Sequence, residues 1–320
     1  MSTDLVLNDQ PWIGGGQFND IDAQAAQLHG YGQEYQQLSR GPFEGRFRSF
    51  ILDNDLGIHF ERTNRVLAQS AATPTGRYAA CLLTENSTPC TINAQVFSQH
   101  HVLLCPGSKS LEANTSEGMS ICVVDVADEL LPDSERAMQT GRILNDATQS
   151  QQLRELVKSG LTTFTALGCV SNYPSAIKGF KFAVVDLLWQ MATHPENQGV
   201  SRTNGYTQAR ALRVFRRARE YIHDRLPEGV SIAALCNDIG VSRRSLEYVF
   251  RSVVGTGPGN YVRALQLNHI RRDLMLTASA DVSIGEIAAR RGLWNWSRFS
   301  RHYELLFGEL PSQTRLHHCD

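Results

Sequence analysis

Between Arg46 and about Val126 the apolar positions come in short bursts. Phe47 to Leu52, Gly57 to Thr63, Tyr78 to Leu83, Val102 to Cys105 and Ser120 to Val126 are separated by Asp-Asn, Pro-Thr-Gly and Pro-Gly-Ser turns. Short runs at such close spacing predict strands closing into a small sandwich or barrel. Ahead of them, Asn19 to Leu38 is polar and glutamine-rich and predicts a short helix. Gly14-Gly15-Gly16 lacks the strand–turn–helix context that phosphate cradling needs and predicts a flexible loop. Past the bursts the period changes. Ile177, Phe180, Val184, Leu187, Leu188 and Met191 recur at helical spacing within Ala176 to His194 and form one broad stripe. The stripe favours packing on the strand-rich core over an antiparallel helix pair between subunits. Pro195 to Tyr206 is polar, with Pro, Gly and Asn, and predicts a linker. From Gln208 onward, helix follows helix.

The pattern therefore predicts an α+β chain of two domains: residues 1–194, β-rich with adjoining helices; a linker at 195–206; and an all-α domain at 207–320. Within the second, a segment repeats. Ser231-Ile-Ala-Ala-Leu-Cys-Asn-Asp-Ile-Gly240 aligns with Ser283-Ile-Gly-Glu-Ile-Ala-Ala-Arg-Arg-Gly292 at an offset of 52. Leu246 then pairs with Phe299, Phe250 with Tyr303, Gly255 with Gly308 and Pro258 with Pro311 at an offset of 53, the second copy having one more residue in its turn.

Each copy has the makings of a helix-turn-helix. A serine caps a first helix, a small residue (Cys236, Ala288) sits where two helices approach, and a glycine four positions later ends it. A second helix starts at Ser242 in one copy and near Asn295 in the other. With Leu246, Val249 and Phe250, then Phe299, Tyr303 and Leu306, turned inward, the outer faces carry side chains suited to a DNA groove. These are Arg243, Arg244, Ser245, Glu247, Tyr248 and Arg251 in the first copy. The second presents Trp296, Ser297, Ser300 and Arg301, with Arg298 at the edge. Arginine can bind guanine O6 and N7 bidentately, glutamate can accept from cytosine N4, and aromatics can pack on thymine methyls. Arg243 and Arg251 suit phosphates. A continuous helix from Asn260 to Leu276 would hold the two reading helices about 34 Å apart, one DNA turn.

Charge sharpens this picture. The 320 residues carry a formal net charge of −1, yet Thr207 to Asp320 holds 17 arginines, no lysine and 11 acids, a net +6. The preceding part is net −7. A basic half on a neutral chain points to a polyanion partner. Seven cysteines, an odd number without a CxxC pair, suggest reduced thiols in a cytoplasm. The start lacks a secretory pattern, and no apolar run approaches a membrane span. His100, His101 and Cys105 invite a metal reading, but adjacent strand residues face opposite ways, so a structural or surface role is favoured and no metal or cofactor is expected. His317-His318-Cys319 reads as incidental tail chemistry. No GxSxG, HExxH, Walker or dinucleotide motif is present.

VSRRSLEYVFRSVVGTGP (241–258) and GLWNWSRFSRHYELLFGELPS (292–312) resemble the carboxy-terminal domain of AraC/XylS transcriptional regulators, over nearly all of Gln208 to His318. Leu293 and Tyr303 replace the commoner phenylalanines, Cys236 an alanine, and Glu247-Tyr248 a polar-arginine pair. GYGQEYQQLSRGPFEGRFRSFILDNDLGIHFERTNRVLAQS (30–70) and RAREYIHD (217–224) resemble a subgroup that includes the ethanolamine-utilization regulator. The resemblance implies a cupin-like sensor domain and a regulator, an activator of a catabolic operon. Its implied partners are operator DNA, RNA polymerase, a small effector (amine, amino alcohol or other catabolite) and a second subunit. A chain of this kind is not an enzyme. The competing reading is a metal-dependent cupin-like enzyme domain fused to a DNA-binding tail, which requires His59, His100 and His101 to cluster.

Overall fold

The computed structural model describes residues 12–84, 87–131, 141–167, 172–194, 202–277 and 282–316. Twelve strands lie among them: β1 (Trp12–Phe18), β2 (Glu34–Gln37), β3 (Gly45–Ile51), β4 (Leu56–Thr63), β5 (Leu67–Ala72), β6 (Arg77–Leu83), β7 (Cys90–Ile92), β8 (Gln95–Phe97), β9 (His101–Pro106), β10 (Ser110–Asn114), β11 (Ser120–Ala127) and β12 (Arg142–Asn145). The helices are α1 (Ile21–Ala25), α2 (Ala147–Leu167), α3 (Pro174–Thr193), α4 (Arg202–Arg225), α5 (Ile232–Ile239), α6 (Arg243–Val254), α7 (Pro258–Leu276), α8 (Ile284–Arg290), α9 (Trp296–Phe307) and α10 (Pro311–Leu316).

The strands form a seven-stranded sheet in the order β1-β3-β4-β11-β6-β9-β12 and a five-stranded sheet in the order β2-β5-β10-β7-β8. Why the central strands read as continuous apolar runs is now plain: the larger sheet is covered on both faces. Tyr78, Ala80 and Leu82 of β6 pack under α2 and α3 with Val184, Leu188 and Met191, while Ala79, Cys81 and Leu83 face the smaller sheet. The α3 stripe is thus core, as its spacing suggested, although Phe182 on its outer side stays 62% exposed.

One expectation fails. Gly14-Gly15-Gly16 is not a loop but the middle of β1, paired with Ser49, Arg48 and Phe47 of β3. Gly15 has φ +136°, and a Cβ there would collide with the Phe47 carbonyl oxygen. Glycine serves here because the neighbouring backbone lies too close for any side chain. The expected linker at 195–206 falls partly outside the described residues, and α4 already begins within it, at Arg202. The His317-His318-Cys319 tail also lies outside them.

The free face of the smaller sheet meets the carboxy-terminal helices. Ala68 of β5 joins the core of α4, α5 and α6, and Glu112 of β10 binds Arg219 of α4 at 2.5 Å. Helix α7 lies against β2 and α1. There Asn268 bonds the backbone of Gln37, and Arg272 grips both oxygens of Asp22 at 2.7 and 2.9 Å while donating to the Tyr35 carbonyl at 2.6 Å.

Candidate nucleic-acid interface

Four serine or asparagine caps start the four short helices of the repeat. Ser231 Oγ accepts from Ala234 N at 3.3 Å, Ser242 Oγ from Ser245 N at 3.1 Å, Ser283 Oγ from Glu286 N at 3.0 Å and Asn295 Oδ1 from Arg298 N at 3.1 Å. Each satisfies one of the orphan donors of a helix start. Gly240, Gly255 and Gly308 adopt the left-handed conformation that stops α5, α6 and α9.

Helix α6 turns Leu246, Val249, Phe250, Val253 and Val254 into a core shared with α4 and α5. There Phe215, Phe250 and Tyr261 meet edge to face at 5.1 to 5.8 Å. Helix α9 buries Phe299, Tyr303, Leu306 and Phe307 against α8 and the end of α7. Helix α7 serves both cores, giving Tyr261, Val262 and Leu265 to the first and Leu267, Ile270 and Leu274 to the second. Two helix-turn-helix units are therefore fixed to one rod.

The apolar faces settle which residues remain outside. Arg243, Arg244, Ser245, Tyr248 and Arg251 of α6 are exposed and Glu247 half-buried. On α9, Trp296, Ser297, Arg298 and Arg301 are exposed and Ser300 half-buried. Four of these have partners that sequence alone did not indicate. Glu247 binds Arg251 across one turn at 3.0 Å. The Ser245 hydroxyl lies 2.9 Å from that of its cap, Ser242. The Trp296 ring lies over Gly285 of α8, where a Cβ would stand 2.6 Å from its edge.

Ion pairing divides the arginines in two. Arg216 and Arg219 go to Glu112, Arg271 to Asp20 and Glu309, Arg272 to Asp22, Arg290 to Glu286 and Arg291 to Asp273. Arg243, Arg244, Arg298 and Arg301 have no acidic partner among the described residues, and neither does Arg263, exposed on α7. Arg263 was missed in the sequence because it belongs to no helix-turn-helix unit. A polyanion meeting these faces would find guanidinium groups that need not leave a carboxylate.

Residues 235–317 match the family described as "Helix-turn-helix domain". The XylDLEGF operon transcriptional activator of Pseudomonas putida is 37% identical over 100 residues, which cover 31% of this chain and 31% of that protein. The probable thc operon regulatory protein of Rhodococcus erythropolis is 30% identical over 100 residues, covering 31% and 30%. This region is a helix-turn-helix domain. A solved AraC-type DNA-binding domain-containing regulator from Chromobacterium violaceum is 28% identical, covering 35% of this chain and 97% of that one at a TM-score of 0.32. The match thus spans about a third of the length of the curated relatives.

His59, His100 and His101 do not cluster: His59 lies between Ser49 (2.7 Å) and Asp125 (3.3 Å), and His101 bonds Ser98. Among the described residues no three His, Cys, Asp or Glu side chains group as metal ligands. The Ser49–His59–Asp125 row has the order of a nucleophilic triad, but all three are buried and Asp125 is tied to Arg77 at 3.0 Å. Burial alone would raise the Asp125 carboxyl, yet the bonds from His59 and Arg77 outweigh it and hold the group below its ordinary range. The row is part of the packed interior, so the enzyme alternative has no support. No helix among the described residues is long and apolar enough to cross a membrane.

Proposed function

We propose that this chain is a sequence-specific DNA-binding transcriptional regulator, an activator of a catabolic operon. The observation that carries the reading is the pair of equivalently capped helices, α6 and α9, whose exposed faces hold unpaired arginines. Arg244 and Arg301 read bases. Arg243 and Arg298 position the helices on phosphates, and Tyr248 and Trp296 pack on thymine methyls or sugars, with Ser245, Ser297 and Ser300 as lesser contacts. Glu247 keeps Arg251 engaged and leaves it a smaller part. The activator role rests on the Pseudomonas putida relative being an operon activator.

In this reading residues 1–194 form a cupin-like sensor of a cytoplasmic protein. Effector binding shifts the population of domain arrangements, so that paired subunits occupy their half-sites or engage RNA polymerase. A cleft of about 740 Å³ between the domains, lined by Phe43, Phe307, Glu44 and the Arg271 guanidinium that pairs with Asp20 and Glu309, gives a small effector, such as an amine or amino alcohol, a place to act. A thermal-shift screen of such compounds tests that part.

The central claim is tested on the full chain. Bound duplexes are selected from a random pool, and Arg244→Ala and Arg301→Ala are compared on selected and random DNA. A loss of about 1–3 kcal/mol confined to selected DNA is expected. Equal losses on both would make these residues phosphate contacts, and absence of any duplex binding at low salt would sink the reading.

A further inference from the structure

The loop joining β2 to β3 belongs to the amino-terminal domain but is bonded to the end of α9. Gly41 N–H points at the carbonyls of Leu305 (3.2 Å) and Leu306 (3.0 Å), and Gln37 Nε2 donates to Leu306 O at 2.6 Å. Gly308 completes the contact, lying so close to Pro42 that a Cβ would stand 2.7 Å from its ring. The neighbouring residue, Arg40, is thereby fixed at the mouth of a cleft of about 220 Å³ between α7 and α9. Asn260 and Arg263 of α7 form one wall and His302 of α9 the other.

Positive charge converges there. Besides burial, what keeps the His302 imidazole below its ordinary range is the field of Arg263, Arg298, Arg301 and Arg40 together. Among the described residues none of these four arginines has an acidic partner, whereas Arg219, Arg271, Arg272 and Arg291 are bound to carboxylates. Like charges gathered without a counter-charge suit an anion supplied from outside. The cleft lies beside the rod that joins the two reading helices, and His302 in its wall stands in the field of Arg298 and Arg301 on the same helix. The anion it fits is therefore the backbone of the same duplex.

We propose that the amino-terminal domain takes part in DNA binding itself, with Arg40 joining Arg263 and His302 to hold a backbone phosphate between the two insertion points. The proposal rests on the DNA-binding reading above. It also gives the sensor a direct handle on affinity. Any rearrangement that lifts the 38–43 loop from α9 withdraws one phosphate contact, with no change in either recognition helix.

The test uses the full chain and a fluorescent random-sequence duplex of about three helical turns, titrated from roughly 50 to 200 mM salt. Arg40→Ala is expected to weaken binding roughly three- to tenfold at low salt and to lower the slope of log affinity against log salt by about 0.9. Arg40→Lys should keep the slope, because a phosphate contact needs charge and not a fork. Arg48→Ala removes an exposed arginine of β3 away from the cleft and should change neither quantity. The proposal is overturned if Arg40→Ala matches the wild type in affinity and slope, or if Arg48→Ala loses as much. It is overturned equally if inorganic phosphate stabilises the wild type through Arg40 while duplex binding ignores the substitution. Failure of the wild type to bind duplex at the lowest salt would instead remove the DNA-binding reading itself.

Discussion

Asn268 and Gln37 exchange two hydrogen bonds across the domain contact: Gln37 N donates to Asn268 Oδ1 at 3.1 Å, and Asn268 Nδ2 donates to Gln37 O at 3.0 Å. The carboxamide of α7 thus mimics a neighbouring strand at the end of β2. Asn268 is 1% exposed, so water cannot replace either bond. Asn268→Ala should cost about 1–3 kcal/mol by leaving a buried N–H and C=O unpaired. A fall in thermal midpoint of the full chain measures it, and an unchanged midpoint would show that the contact opens freely in solution.

Glu247 restrains Arg251 on the face of α6 proposed to meet DNA. An exposed pair of this kind stabilises by only a few tenths of a kcal/mol, so Glu247→Gln should leave the thermal midpoint nearly unchanged. Its effect should appear in binding. Freed Arg251 and one fewer negative charge should raise affinity for random duplex and steepen the salt dependence. Unaltered or weaker random-duplex binding in fluorescence anisotropy would place Arg251 away from the phosphates.

At Gly15 of β1 the backbone forbids replacement on two counts, a φ of +136° and the adjacent Phe47 carbonyl. Gly15→Ala should destabilise the amino-terminal sheets by on the order of 2–4 kcal/mol. Gly16→Ala, whose Cβ would meet only the Phe18 ring at 3.4 Å, should cost much less. Parallel denaturant titrations of the two variants decide the matter, and equal losses would contradict the pairing of β1 with β3.

His269 of α7 stacks edge-on to His223 of α4 at 6.1 Å and is pushed down to about 4. Burial is the main cause, followed by repulsion from Arg272, Arg291 and His223, with Asp273 opposing. Because the folded form resists protonation, the unfolded chain binds more protons between about pH 6.5 and 4. This histidine's contribution to stability is therefore whole above pH 6.5 and declines as pH falls toward 4. His269→Gln should flatten the dependence of the thermal midpoint in that window. A slope as steep as that of the wild type would move its origin to other groups, His223 and His302 among them.

Trp296 couples the two helices of the second unit through Gly285. Gly285→Ala should push the indole outward into solvent and shift its fluorescence to the red, with weaker selection among DNA sequences where that ring packs on a thymine. No spectral change would mean that the ring already samples the displaced position.

What the sequence determined on its own was local. Caps such as Ser242 and Asn295 act on backbone three residues away, left-handed glycines end helices within one turn, and inward stripes such as Leu246, Val249 and Phe250 obey the helical period. Such interactions lie within a few residues, so the two helix-turn-helix units, their outer faces and the main strands could be read directly. The tertiary structure decided everything that depends on distant partners. It turned Gly14-Gly15-Gly16 from a loop into a strand, because Phe47 lies close alongside. It assigned Arg251, Arg271, Arg272 and Arg291 to carboxylates and left Arg244 and Arg301 open. It also joined Gln37 to Asn268, 231 positions apart. No periodicity marks such pairs, since they arise only when two separately folded surfaces meet and each must satisfy the polar groups that the other buries.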